Sequence, residues 1–184
     1  DLNYNQQNNA SSTSTYNLAG GVLTVPQIIA TKTTGTSTFN FNGGTLKAAA
    51  SSTTFLQGLT AANVQSGGAV IVTDGKNITL NQALLDGGGS GGLTKLGAGT
   101  LLLNGINTYT GSTVVSNGTL GGSGSLAGGL AVVSGATLAA GNSIGTFTVN
   151  GAASLGGTVV AEITNGPSAD LINFAGGATL GGTL

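Results

Sequence analysis

Apolar and polar residues alternate along this chain in short runs. Phe39-Asn40-Phe41-Asn42 and Thr146-Phe147-Thr148-Val149-Asn150 each place aromatic and aliphatic side chains on one face of an extended segment and amides or hydroxyls on the other. In Val159-Val160-Ala161-Glu162-Ile163 the same parity groups Val159, Ala161 and Ile163 and sends Glu162 to solvent. No apolar stripe of helical period is sustained, and Gly, Thr, Val, Ser and Asn are poor helix formers. Gly-Gly, Asn-Gly, Ser-Gly and Asp-Gly pairs between the runs supply the corners. The pattern predicts an all-β chain of short strands.

A period emerges when Leu101, Leu120 and Leu138 are aligned on their preceding Thr, because the three recur at nearly even intervals. Echoes stand at Leu46, Leu155 and Leu180. A unit of roughly 20 residues is the length of one coil of a parallel β-solenoid, in which stacked coils bury a column that no single coil can bury. Leu46, Leu101, Leu120, Leu138 and Leu180 are the expected core markers. The chain then makes about nine coils and a rod on the order of 40 Å long. An antiparallel sandwich would place its turns at closer intervals and lacks such an inner Leu register.

Composition fits this architecture and excludes others. Only 5% of the 184 residues are charged, 35 are Gly and 39% are apolar. Near-neutral charge with positive mean hydropathy argues for a folded chain, and two prolines are too few for collagen. Stacked coils superpose equivalent positions, so like charges would form repelling ladders while Thr, Asn and Ser can bond along the stack. The longest uncharged interval, from Leu96 to Ala161, is broken by Gly, Asn, Ser and Thr and contains no apolar run long enough for a membrane helix. Four Lys and no Arg leave no basic stripe for nucleic acid. The segment 1–19 is polar and is expected to lie outside the solenoid, against a neighbouring subunit, with the solenoid occupying 20–184.

Gly92-Leu93-Thr94-Lys95-Leu96-Gly97-Ala98-Gly99-Thr100-Leu101, followed by Asn107-Thr108-Tyr109-Thr110-Gly111 and by Val115-Ser116-Asn117-Gly118-Thr119-Leu120, closely resembles the passenger-associated repeat of bacterial autotransporters, also called the autotransporter-associated β-strand repeat. Phe41 to Ala48 is similar to its companion unit, and Leu138 to Gly145 and Ala169 to Ile172 resemble segments that follow it. The resemblance implies a right-handed parallel β-helix on, or released from, a bacterial cell surface. That family is defined by its scaffold, so it implies no catalytic residues.

The residues offer little other chemistry. Absence of His and Cys removes a serine–histidine pair and the usual zinc ligands. The carboxylates are Asp1, Asp74, Asp86, Glu162 and Asp170. A two-carboxylate glycan-processing site would use Asp74 and Asp86, each of which precedes a Gly and reads more simply as a turn residue. Asp170 reads as a turn or capping group. Tyr109 is a candidate glycan contact, with packing over a corner as its structural alternative.

The sequence therefore points to a non-enzymatic extracellular element of the bacterial surface that needs no cofactor and no metal. One form is a rod that associates end to end, as a homo-oligomer or filament, or that forms part of a stalk; the solenoid ends are the expected contacts. The alternatives are a monomeric adhesin binding extracellular glycans and a β-helix polysaccharide lyase or hydrolase.

Overall fold

The computed structural model describes residues 13–31, 35–141, 144–163, 165 and 168–182. Among them 23 short strands form a parallel β-solenoid. Each coil contributes one strand to each of three walls. Wall B is a continuous sheet of eight strands: β2 (Val22–Val25), β5 (Thr45–Ala48), β8 (Ala69–Val72), β11 (Leu93–Leu96), β14 (Thr113–Val115), β17 (Leu130–Val132), β20 (Ala153–Leu155) and β23 (Ala178–Leu180). Wall C has seven strands: β3 (Ile28–Ile29), β6 (Ser52–Gln57), β9 (Ile78–Leu80), β12 (Thr100–Leu103), β15 (Thr119–Gly122), β18 (Thr137–Ala140) and β21 (Thr158–Val160).

The third strand of each coil belongs to one of two four-stranded sheets. Sheet A comprises β1 (Thr13–Leu18), β4 (Thr36–Phe41), β7 (Ala61–Val64) and β10 (Leu85–Asp86). Sheet D comprises β13 (Ile106–Asn107), β16 (Ser125–Leu126), β19 (Thr146–Val149) and β22 (Leu171–Phe174). Between β10 and β13 a buried amide replaces strand pairing. Asn107 Oδ1 accepts the Leu84 amide at 2.9 Å, while Nδ2 donates to Gly105 O at 2.9 Å and Ser125 O at 3.0 Å.

Parallel in-register pairing turns alternation within strands into columns across them. Wall B carries Leu23, Leu46, Ile71, Lys95, Val115, Val132, Leu155 and Leu180 in one inward column. Wall C carries Ile78, Leu101, Leu120, Leu138 and Val159. Leu46, Leu101, Leu120 and Leu138 are buried completely, and Phe39, Phe41, Phe55 and Phe147 fill the space between walls. Leu180 aligns with Leu155 but is 59% exposed, because β23 has a neighbour on one side only.

Coil length differs from the sequence expectation. The eight strands of wall B make about seven turns, not nine. Val22 pairs with Thr45, Thr45 with Val70 and Ala69 with Leu93, all close to the prevailing long coil. The next two coils are shorter, with Leu93 pairing with Thr113 and Thr113 with Leu130. Pairing of Leu130 with Ala153 and of Ala153 with Ala178 then restores the longer step. The aligned leucines of the middle coils thus sampled the narrowest part of the solenoid.

Strand β1 also lies within the segment 1–19 that the polar pattern placed outside the coils. Tyr16, Asn17 and Leu18 pair with Phe39, Asn40 and Phe41, and Tyr16 stacks on Phe39 with ring centroids 5.3 Å apart. Residues 1–12 of that segment lie outside the described residues. At the other end the expected inward trio is reduced to Val159. The chain leaves wall C after Val160, so Ala161 and Ile163 are exposed along with Glu162, Ile163 by 87%.

Candidate functional site

Two features stand apart from the repeating core: a groove on the outer face of wall C and a polar corner buried between walls B and C. On wall C, β12, β15, β18 and β21 present Thr100, Thr119, Thr137 and Thr158 as one outward row. Beside it runs Leu102, Gly121, Ala139 and Val160. Gly121 has no side chain to raise the floor between Leu102 and Ala139. The return of the chain after β21 builds the rim. Asp170 accepts the Gly145 amide at 3.0 Å on Oδ1 and the Glu162 amide at 2.8 Å on Oδ2, which pins this return against the solenoid. A groove of about 260 Å³ results, floored by small and apolar side chains, edged by hydroxyls and closed at one end by Glu162 and Asp170. Such a surface offers C–H contact, hydroxyl donors and acceptors, and an exposed carboxylate together.

The buried corner centres on Lys95. Its parity within β11 is inward, with Leu93, and its exposure is zero. Nζ donates to Thr73 Oγ1 at 2.8 Å, Gly97 O at 2.6 Å and Asn117 O at 2.9 Å, with Leu96 O at 3.3 Å beyond them. Thr73 Oγ1 in turn donates a hydrogen bond to Ala98 O at 2.6 Å. Burial pushes the Lys95 ammonium down to about 8. In the sequence Lys95 carries no role beyond the repeat pattern. The available signal is its parity, which places it on the same face as Leu93.

The other named residues are separated by the fold. Asp74 sits in the turn between β8 and β9 at φ 50, and its carboxylate meets Lys47 Nζ at 2.9 Å. The lysine hydrogen bond and charge hold the Asp74 carboxyl below its usual range. Asp86 ends β10 and accepts the Gly88 amide at 2.9 Å, a local turn bond. One carboxylate therefore occupies the corner between walls B and C and the other lies on sheet A, each engaged locally.

Tyr109 corrects the glycan expectation. It is fully buried, with its hydroxyl 2.6 Å from Thr113 Oγ1, and burial raises the phenol well above its ordinary value. Its ring packs inside the solenoid and offers no face to a sugar. Glu162 and Asp170, read from sequence as solvated and turn-forming, become the rim of the wall C groove because the chain folds back after Val160. Strand parity alone carries no signal for that return.

The stretch containing the Lys95 corner and the inward Tyr109 runs through β11 to β15. Residues 93–121 match the Passenger-associated-transport-repeat. In the solenoid this passenger repeat is not a separate module, since its strands pair with those of the coils before and after it. Over 28 residues, 15% of this chain, the sequence is 71% identical to the Adhesin BmaC autotransporter of Brucella suis biovar 1 (strain 1330). That stretch spans 1% of the adhesin's length. No solved structure matches the chain significantly. The passenger repeat is consistent with a surface or secreted location. Among the described residues, no helix is long and apolar enough to cross a membrane.

Proposed function

We propose that this chain is a stretch of the solenoid rod of a bacterial surface adhesin of the autotransporter type, and that it works through its outer walls rather than through catalysis. The observation carrying this reading is the passenger repeat at 93–121, stacked in register within one continuous parallel solenoid, and it is supported by the 28-residue likeness to an adhesin. A rod of coils holds its walls rigid, and rigid walls present repeated contacts without an ordering cost at binding. The wall C groove is the contact surface, and its amphipathic lining suits an extracellular glycan, with C–H faces over Leu102 and Ala139 and hydroxyls toward the Thr row and Glu162.

Surface-immobilised glycans titrated with the purified chain test this reading. Saturable binding is expected, with at least a tenfold loss for Ala139→Arg, a change of roughly 1.4 kcal/mol or more. Ala139 points outward and is half-buried, so arginine fills the groove without entering the core. Equal binding by Ala139→Arg would remove the groove, and no saturable binding to any glycan would remove the glycan ligand.

A second reading rests on the apolar mouth at the first described coil. Tyr16, Leu23, Val25 and Ile28 line a cavity of about 180 Å³ there, and Leu180 is exposed at the opposite edge. All strand pairs between coils run parallel, so stacking β23 of one copy on β2 of another would continue wall B in the same direction. Concentration-dependent rods or fibres in a negative-stain dilution series are expected for the isolated segment. Dispersed particles of one coil stack at every concentration would contradict this reading.

A further inference from the structure

The corner around Lys95 coincides with a change in the circumference of the solenoid. Leu93 pairs backward with Ala69 and forward with Thr113, so the coil that follows it is shorter than the coil that precedes it. At this corner the Thr73 and Gly75 amides donate to Leu96 O and Ala98 O and pass over Gly97 O between them. Here Gly97 O and Asn117 O instead receive Lys95 Nζ. The three short bonds of that nitrogen reach three successive coils: Thr73 after β8, Gly97 after β11 and Asn117 after β14. Every other residue of this inward column is aliphatic, so the amine stands where the column would otherwise hold a Leu, Ile or Val.

Neighbouring residues are arranged around this occupant. A Cβ on Gly118 would lie 2.8 Å from Lys95 Nζ, 2.6 Å from Gly97 O and 2.5 Å from Gly99 O, and Gly118 has φ +73. Glycine at 118 therefore both makes the turn and leaves room for the amine. Asp74, next in the chain to Thr73, turns its carboxylate to Lys47, and Lys76 Nζ donates to Asp74 O at 3.2 Å. The partners of Nζ are one hydroxyl and backbone carbonyls, with no counter-charge among them.

We propose that the corner formed by Thr73, Gly97 and Asn117 is a binding cage for a primary amine, occupied by Lys95, which locks the register of the passenger repeat against the coils on both sides where coil length drops. Three acceptors converge on the three protons of an ammonium, and the stem between Cβ and Nζ lies in the apolar interior. Removing the amine takes the donor from Asn117 O and leaves Gly97 O only the longer approach of Thr73 Oγ1 at 3.2 Å, whereas a merely tolerated buried charge would be better replaced by an apolar side chain of similar length.

These alternatives give opposite signs. Lys95→Met keeps the stem and removes the donors, so the cage requires its urea midpoint at pH 7 to fall, by about 1 M for a domain of this size. Lys95→Ala is expected to fall further and to recover at least a third of the lost midpoint in propylammonium chloride, which replaces the missing three carbons and nitrogen. Equimolar sodium chloride with 1-propanol, of equal length but with one donor, is expected to restore less than a tenth. A Lys95→Met midpoint equal to or above the wild type would overturn the proposal, as would equal recovery in the two solutes. Should both Lys95 variants fail to fold, Thr73→Val supplies the test with the amine in place. Amide hydrogen exchange at Ser116 and Thr119 should then quicken at least tenfold while that at Ala153 stays unchanged, and uniform exchange across the coils would count against a local clasp.

Discussion

Among the described residues of this charge-poor chain, one buried lysine and one buried tyrosine have strongly shifted titrations. Lys95 has its folded value lowered to about 8 by burial, against 10.5 when exposed. Between these values the unfolded chain still holds a proton that the folded chain has released, so stability rises with pH, by up to about 3 kcal/mol. Tyr109 shifts the other way, because burial raises its phenol above the ordinary 10. Above pH 10 the unfolded chain loses a proton that the folded one keeps, and stability falls. Urea unfolding across pH 7 to 11 should therefore show a maximum near pH 10, and Lys95→Met should flatten the rising limb. A monotonic decline from pH 7 would contradict the Lys95 assignment. At the same scale, Leu120→Ala removes a fully buried side chain from the wall C column and should cost about 3 kcal/mol, whereas Leu180→Ala, at 59% exposure, should cost less than about 1 kcal/mol. Equal losses on denaturation would mean that the inward column is not graded as described.

Strands of two to six residues carry no stability of their own, so the corners must hold them in register. Glycines do this by admitting close backbone approach as much as by torsional freedom. At Gly99, φ is +91 and an added Cβ would collide with the Lys76 carbonyl, while at Gly20 a Cβ would meet nothing within 4 Å and the backbone is not left-handed. Thermal melts should find Gly99→Ala destabilised by more than about 2 kcal/mol and Gly20→Ala within about 0.5 kcal/mol of the wild type. Similar losses at both would show that the corners do not pack coil on coil. The strands were legible from alternation: Thr146-Phe147-Thr148-Val149 faces as its parity demands, whereas Asn40 is buried like Phe39 and Phe41, in an amide ladder with Asn17 and Asn63. Alternation carried less at the edges. Ile163 follows the inward parity of Val159, yet the strand ends at Val160, where the return fixed by Asp170 takes over. A carboxylate accepting two amides across a fold-back has no periodic signature.

At the scale of the whole molecule, the solenoid converts a sequence almost without reactive side chains into long walls of hydroxyl, amide and small apolar groups. The stacking period was visible in Leu101, Leu120 and Leu138, but these lie in the shortest coils, so the number of turns was overestimated. Part of the wall C groove was legible, since Thr100, Thr119 and Thr137 are the residues on which the leucines align. The low floor at Gly121 and the rim of Glu162 and Asp170 carry no periodic signal, and the buried Tyr109 was the more conspicuous sugar candidate. If the molecule is an adhesin rod, attachment must follow from its outer wall alone, without turnover of what it binds. Beads coated with the purified chain and counted after washing from glycan-bearing surfaces test this most directly. The account predicts adherence that soluble chain competes away and that falls at least tenfold for beads carrying Ala139→Arg, a loss of roughly 1.4 kcal/mol or more in binding free energy. Beads that wash off as readily as uncoated ones, or that adhere equally with either chain, would contradict it.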